Sequence, residues 1–209
     1  MRALPTTRPD LTLREECNRQ WLTALLLAAS MALTAPFAWC LELAVVLENS
    51  TVTPPNSVGF REERHNPMLK EPLVLTGHLE YLRAGVLRKS IETPFEESFL
   101  IESDHVVIER EGETRKLALN KSRSLKTILS AIEAILSGEA GKIESVFNYY
   151  VAGTQDAWSV QLTPISRRMG KRLISLQVNG DDQSVTSIRI DLKNGEWHLM
   201  DILRNDPEP

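Results

Sequence analysis

Hydrophobic positions recur along this chain with two different periods. Between residues 57 and 120 the period is two, as on a pleated strand. SVGFREER puts Val58 and Phe60 on one face. LVLTGHLEYLR puts Leu79, Tyr81 and Arg83 together, with Gly77 as a bend or bulge. VLRKSIET, which carries Leu87, follows Ala84-Gly85 and is closed by Thr93-Pro94. FEESFLIES, HVVIER and TRKLALN add three more runs, divided by SD and EGE. Turn signals roughly every eight to twelve residues predict an antiparallel meander.

The middle of the chain takes the helical period. SRSLKTILSAIEAILSG (122–138) has Leu125, Ile128, Leu129, Ile132, Ile135 and Leu136 on one stripe, with Ser122 or Ser124 to cap it and Gly138 to end it. GKIESVFNYYVAG (141–153) predicts a second helix, with Ile143, Val146, Phe147 and Tyr150 aligned. LELAVVLENS (41–50) is a short first helix, stopped before Pro54-Pro55. Period two then returns: Trp158, Val160 and Leu162; Ile174, Leu176 and Val178; Ile188, Ile190 and Leu192; and finally EWHLMDIL. SRRMGK, NGDDQS and KNG supply the joining turns, and RNDPEP is a polar tail. The fold class is α+β. About ten strands form a single curved antiparallel sheet, apolar on one side and covered there by the helices.

The first 40 residues do not belong to this pattern. Residues 1–20 carry Arg2, Arg8, Arg14 and Arg19 against Asp10, Glu15 and Glu16, and WLTALLLAASMALTAPFAWC (21–40) has no charge. A basic flank before such a run predicts a secretory signal over residues 1–40, cleaved near Ala38-Trp39-Cys40. A run of this length also just spans a bilayer, so an uncleaved anchor is the alternative. Bulky Trp39 before Cys40 fits a lipidation site poorly. Cys17 and Cys40 are the two cysteines and both fall in the leader, so residues 41–209, read as one domain, have no disulfide to form.

Composition narrows the function classes. The chain has 209 residues, enough for a substantial core, and a formal net charge of -4, which offers no basic surplus for nucleic acid. Four of the 24 basic and three of the 28 acidic residues lie in the leader, leaving a chain of net charge about -5. His65, His78, His105 and His198 have no metal-ligand spacing, and HExxH, GxSxG and glycine-rich phosphate motifs are absent from the sequence. No metal, cofactor or catalytic residue is therefore expected. Glu96-Glu97 and Asp181-Asp182 read as solvated charge, since strand neighbours point to opposite faces. RRMGKR (167–172) is a compact basic cluster: either a soluble hairpin tip or a dock for an acidic partner or anionic headgroups. Tyr149, Tyr150 and Trp158 read as core. An apolar interior with a helical cover and no reactive groups suits the enclosure of a hydrophobic ligand.

GHLEYLRAGVLRK…TPFEESFLIESDHVVI resembles the periplasmic outer-membrane lipoprotein carrier family, LolA-like, which reads Gly-x-Leu-x-Tyr/Phe-x-Arg-Pro-x-x-Leu, then x-x-x-Pro-x-x-x-x-Leu/Ile-x-x-Asp. FREERHNPMLKEPLVLTG upstream is similar to the approach of a related branch, and AWSVQLTPIS…LISLQVNGDDQSVTSIRI to a later strand and its hairpins. The resemblance covers roughly residues 58–202. It implies an incomplete β-barrel capped by helices on its concave apolar face. It also implies a periplasmic carrier that takes acyl chains of lipoproteins or related lipids from an inner-membrane exporter to an outer-membrane acceptor, as a monomer.

The cavity would be lined by Leu79, Tyr81, Leu87, Trp158, Val160, Leu162, Ile174, Leu176, Val178, Ile188 and Ile190. The lid helix would carry Leu125, Ile128, Leu129, Ile132, Ile135 and Leu136. Arg83 aligns with the family's latch arginine, which bonds lid backbone; the alternative is a rim arginine with its head in water. Ala84 replaces the family's proline, the first helix is short, and the carboxy-terminal extension of typical carriers is lacking, so the cargo extends to that of a specialised lipid export system. Two other readings stand beside the carrier. One is a non-shuttling interaction or sensor protein that grips a membrane exporter. The other is a lipid hydrolase, for which the sequence offers no nucleophile–base pair.

Overall fold

In the computed structural model the described residues are 41–182 and 184–204. The leader, with its signal and both cysteines, and the tail from residue 205 lie outside them. The order is α1 (Leu43–Asn49), β1 (Asn56–His65), β2 (Leu73–Arg83), β3 (Val86–Thr93), β4 (Glu97–Ile101), β5 (His105–Arg110), β6 (Glu113–Ala118), α2 (Arg123–Leu136), α3 (Ala140–Glu144), β7 (Phe147–Thr154), β8 (Ala157–Pro164), β9 (Leu173–Gly180), β10 (Val185–Leu192) and β11 (Trp197–Leu203). All eleven strands join one antiparallel sheet in the order β6-β5-β4-β3-β2-β1-β11-β10-β9-β8-β7. Two meanders are thus fused where β1 pairs β11, with Phe60 opposite Ile202. The ends of the order, β6 and β7, are not paired, so the sheet is not closed into a barrel.

The turns follow local chemistry. Arg110 pairs Glu113 across Glu111-Gly112, both at positive φ (51° and 79°), the geometry of a two-residue I′ hairpin. Gly77 sits at a register shift between β2 and β3, and an added Cβ there would lie 1.9 Å from the Ser90 carbonyl oxygen. The expected bulge is present, and only glycine permits that backbone approach.

α2 matches the periodicity closely. Ser122 holds the N-cap position, although its side chain makes no capping bond. At the other end Glu139 N–H donates to Ala134 O (2.8 Å) and Gly138 N–H to Ile135 O (3.3 Å), with Gly138 at φ +74°, which is a Schellman ending. Its most buried positions include Ala131 and Ala134 as well as Ile135, so small residues bring the helix close; Leu125, Ile128, Leu129, Ile132 and Leu136 are half-buried.

The second predicted helix is corrected. α3 covers only Ala140–Glu144, and residues 147–154 form β7, paired throughout with β8 from Phe147–Pro164 to Thr154–Ala157. Phe147, Tyr149, Tyr150 and Val151 are strand formers, and β8 offers their backbone a pairing partner along its whole length. Ile143 and Phe147 are buried as expected, whereas Tyr150 and Tyr149 are exposed rather than core.

One large apolar cluster unites Leu43, Val46 and Leu47 of α1, Ala131, Ala134 and Ile135 of α2, and Ile143 of α3 with Phe147, Trp158, Val160, Leu162, Leu173, Leu176 and Val178 of β7–β9. A smaller one gathers Phe60, Leu75 and Ile91, with Leu73, Leu79, Phe95, Phe99 and Met200 partly buried against them. Each large side chain so buried contributes about 1.5–3 kcal/mol. Among the described residues no helix is long and apolar enough to cross a membrane.

Candidate functional site

Register carries one face across the sheet. Residues paired in neighbouring strands share a side, so each row can be followed from strand to strand. Leu75, Glu62, Met200, Ile188, Val178, Val160 and Val151 form one such row from β2 to β7. Leu73, Arg64, His198, Ile190, Leu176, Leu162 and Tyr149 form the next. In the other half, Val58, Leu79, Lys89, Phe99 and Ile108 run from β1 to β5. The opposite face carries Arg61, Glu63, Arg88, Ser90, Gln177, Asn179, Arg189 and Asp191. One side of the sheet is therefore mostly apolar, with Glu97, Arg110 and Arg115 on it toward the β6 edge and four polar residues near its centre: Glu62, Arg64, Lys89 and His198.

Those four side chains meet. Glu62 is 3% exposed and accepts from Arg64 Nε (2.9 Å) and Nη2 (3.1 Å), from Lys89 Nζ, and lies 3.2 Å from His198 Nδ1. Burial by itself would raise the Glu62 pKa. Hydrogen bonds from His198 and Arg64, with the charges of Lys89 and Arg64, outweigh it and hold the carboxyl well below the usual glutamate range. Burial pulls Lys89 below the usual lysine value, against the opposing charge of Glu62. Lys89 Nζ also lies 4.6 Å from the Phe60 ring centroid, a cation–π contact.

The residues proposed from the sequence are distributed along this face. Trp158, Val160, Leu162, Leu176 and Val178 are buried in the large cluster, with Ile188 and Ile190 partly buried beside them. Trp158 Nε1–H is satisfied by Asp181 O at 2.6 Å. Leu79 packs on the smaller cluster, and Tyr81 is buried. Burial, then the carboxylates of Glu133 and Glu139, push the Tyr81 phenol up. Leu87 faces α2 across a narrow recess also lined by Ile101, Leu119, Leu129 and Glu133. Ile174 departs from the alternation. Asp191 pairs Ser175 while Leu192 pairs Leu173, so a register shift skips Ile174, which is exposed, and buries Leu173 instead.

Arg83 also leaves the stripe. A register shift separates Tyr81–Leu87 from Arg83–Val86, and the Arg83 side chain is 71% exposed, 3.6 Å from Glu102. Glu102 in turn lies 3.1 Å from His105 Nε2, whose Nδ1 is 2.5 Å from Asp104. These three offer ligand atoms within 4.8 Å of one another, but they are already paired with each other and with a guanidinium, which opposes a cation. Asp181 is not free charge either: Arg204 pairs with it, and it accepts from Ser184 N–H at 3.1 Å. In the basic loop Arg167, Arg168, Lys171 and Arg172 are exposed around a buried Met169.

Sequence reasoning missed the Glu62 group. The signal was present, because the alternation that turns Val58 and Phe60 inward turns Glu62 and Arg64 inward too.

Comparison with solved structures finds a LolA superfamily protein of Nitrosomonas europaea at 12% identity and TM-score 0.41, covering 80% of this chain and 96% of that one. LprF from Mycobacterium bovis matches at 13% and 0.35, covering 80% and 93%. A putative outer membrane lipoprotein-sorting protein domain from Vibrio parahaemolyticus matches at 11% and 0.42, covering 78% and 90%. No curated protein matches the sequence. The family model described as outer membrane lipoprotein carrier protein LolA-like matches residues 35–201, and the chain belongs to that family.

Proposed function

We propose that this protein is a periplasmic carrier that shields acyl chains of lipoproteins or related lipids on the apolar face of its sheet. The observation that carries the reading is the continuity of that face over both meanders, together with helix residues in its larger core. Membership of a carrier family supports it. In this reading the three helices cap the concave side, and residues 1–40 direct export. Each methylene withdrawn from water contributes about 0.8 kcal/mol, so a single acyl chain supplies ample binding energy without any reactive group. Titrating the purified protein with a fluorescent acyl probe tests the reading. Saturable uptake, displaced by unlabelled fatty acyl ligand, is expected; absence of uptake sinks it.

A second reading rests on the basic loop, whose four exposed cations surround the buried anchor Met169. Here the loop grips an acidic face of an inner-membrane exporter. Crosslinking from positions 167–172 that captures an exporter, with no cargo transfer in a reconstituted assay, would favour this reading over shuttling.

A further inference from the structure

Acyl-chain binding does not account for charge in the middle of an apolar face. Glu62, Arg64 and His198 are flanked by Leu75 and Leu73 on one side and by Met200 and Ile190 on the other, Lys89 lies among Phe60, Leu79 and Phe99, and a set of apolar residues there would be as stable or more so. The group also does not neutralise itself. Arg64 and Lys89 bring two cations to one carboxylate. Glu62 uses Arg64 Nε and one side of Nη2, so Nη1 has no partner among the described residues. The side chains of Arg64 and His198 are 28% and 32% exposed, against 13% for Lys89, so Arg64 is the more accessible of the two cations. Apolar surface lies beside it: Leu73, paired with Arg64, and Met200, paired with Glu62, are only partly buried.

We propose that this cluster is a headgroup subsite, in which a carboxylate or phosphate at the polar end of a single acyl chain docks on the outer edge of Arg64 while the chain lies over Leu73, Met200 and the rows beyond. A guanidinium presents two parallel N–H groups to such an anion, and Lys89 adds the second positive charge. A neutral acylglycerol end would leave the surplus cation unpaired. The proposal rests on the acyl-binding reading and narrows its ligand to anionic amphiphiles.

Competition against a fluorescent acyl probe tests it, using laurate, lauroyl lysophosphatidic acid and monolaurin on the purified full chain. The expected result is that at least one anionic ligand competes about tenfold better than monolaurin, equivalent to one charge-assisted hydrogen bond. Which anion wins identifies carboxylate or phosphate as the natural head. Arg64→Gln should bring the preference within about twofold, and Arg64→Lys, which keeps the charge but not the two parallel N–H groups, should keep only part of it. If Arg64→Gln does not fold, salt serves instead, and the preference of the unmodified protein should shrink as ionic strength rises. Equal competition by all three ligands, or a preference indifferent to both Arg64→Gln and salt, overturns the subsite and leaves acyl binding standing. Failure of every ligand to compete with a bound probe, or of the probe to bind, removes the acyl-binding reading itself.

Discussion

Replacing Glu62 with alanine leaves Arg64 and Lys89 facing each other on an apolar surface with no counter-charge. Removing one member of a buried ion group costs about 3–5 kcal/mol, so Glu62→Ala should lower the urea midpoint strongly. The pH dependence follows from the sign of the shift. The folded carboxyl titrates below its unfolded value, so its contribution is complete above the ordinary glutamate pKa, about 4.3, and is lost as pH falls beneath it. Glu62→Gln should therefore flatten the acid limb of a stability–pH curve; an unchanged limb would mean other carboxylates dominate it. Arg83 is the contrasting case. As an exposed arginine beside Glu102 it contributes at most about 1 kcal/mol, and Arg83→Leu should leave the melting curve nearly unchanged. If Arg83 latches the lid by exchanging Glu102 for helix carbonyls, the same variant should release an acyl probe faster. A release rate equal to that of the unmodified protein makes it a rim arginine.

At the scale of elements, what the sequence makes legible depends on how local the determinants are. α2 was readable because its stripe and terminal glycine lie within seventeen residues of chain. β2 and its bulge were readable because Gly77 interrupts a clean alternation. β7 was not, because Val146, Phe147 and Tyr150 satisfy helical spacing equally well, and the partner that decides the matter is β8. Ile174 shows the same limit: alternation turned it inward, but the register shift against β10 exposes it. Gly138 offers a test of the local part. It holds φ +74°, and an added Cβ would lie 2.9 Å from Thr51 Oγ1. Gly138→Ala should cost about 1 kcal/mol or more in the thermal unfolding of the protein, from backbone strain alone. No loss of stability would mean that the α2 ending relaxes without cost.

For the whole molecule, one face of one open sheet supplies both the core and the proposed binding surface. Its centre is β1 and β11, and its rims are β6 and β7. β6 is blunted by Glu113, Arg115 and Lys116, exposed charges that resist edge-to-edge pairing. Hydrogen exchange should accordingly be slowest in β1, β2 and β11 and fastest in β6, with α2 intermediate if it moves to admit ligand. Uniform protection from β6 to β1 would contradict that gradient. The family and the sheet were legible in the sequence; so was the inward turn of Glu62 and Arg64, but that Lys89 and His198 meet them follows only from the pairing that brings β1, β3 and β11 together. The most direct test of the account is a native mass spectrum of the protein recovered without detergent, then denatured and extracted. The account predicts a bound mass that extraction resolves into an acyl lipid, close to one per chain. A protein that carries no acyl species, and takes none up when a lipid mixture is supplied, would contradict it.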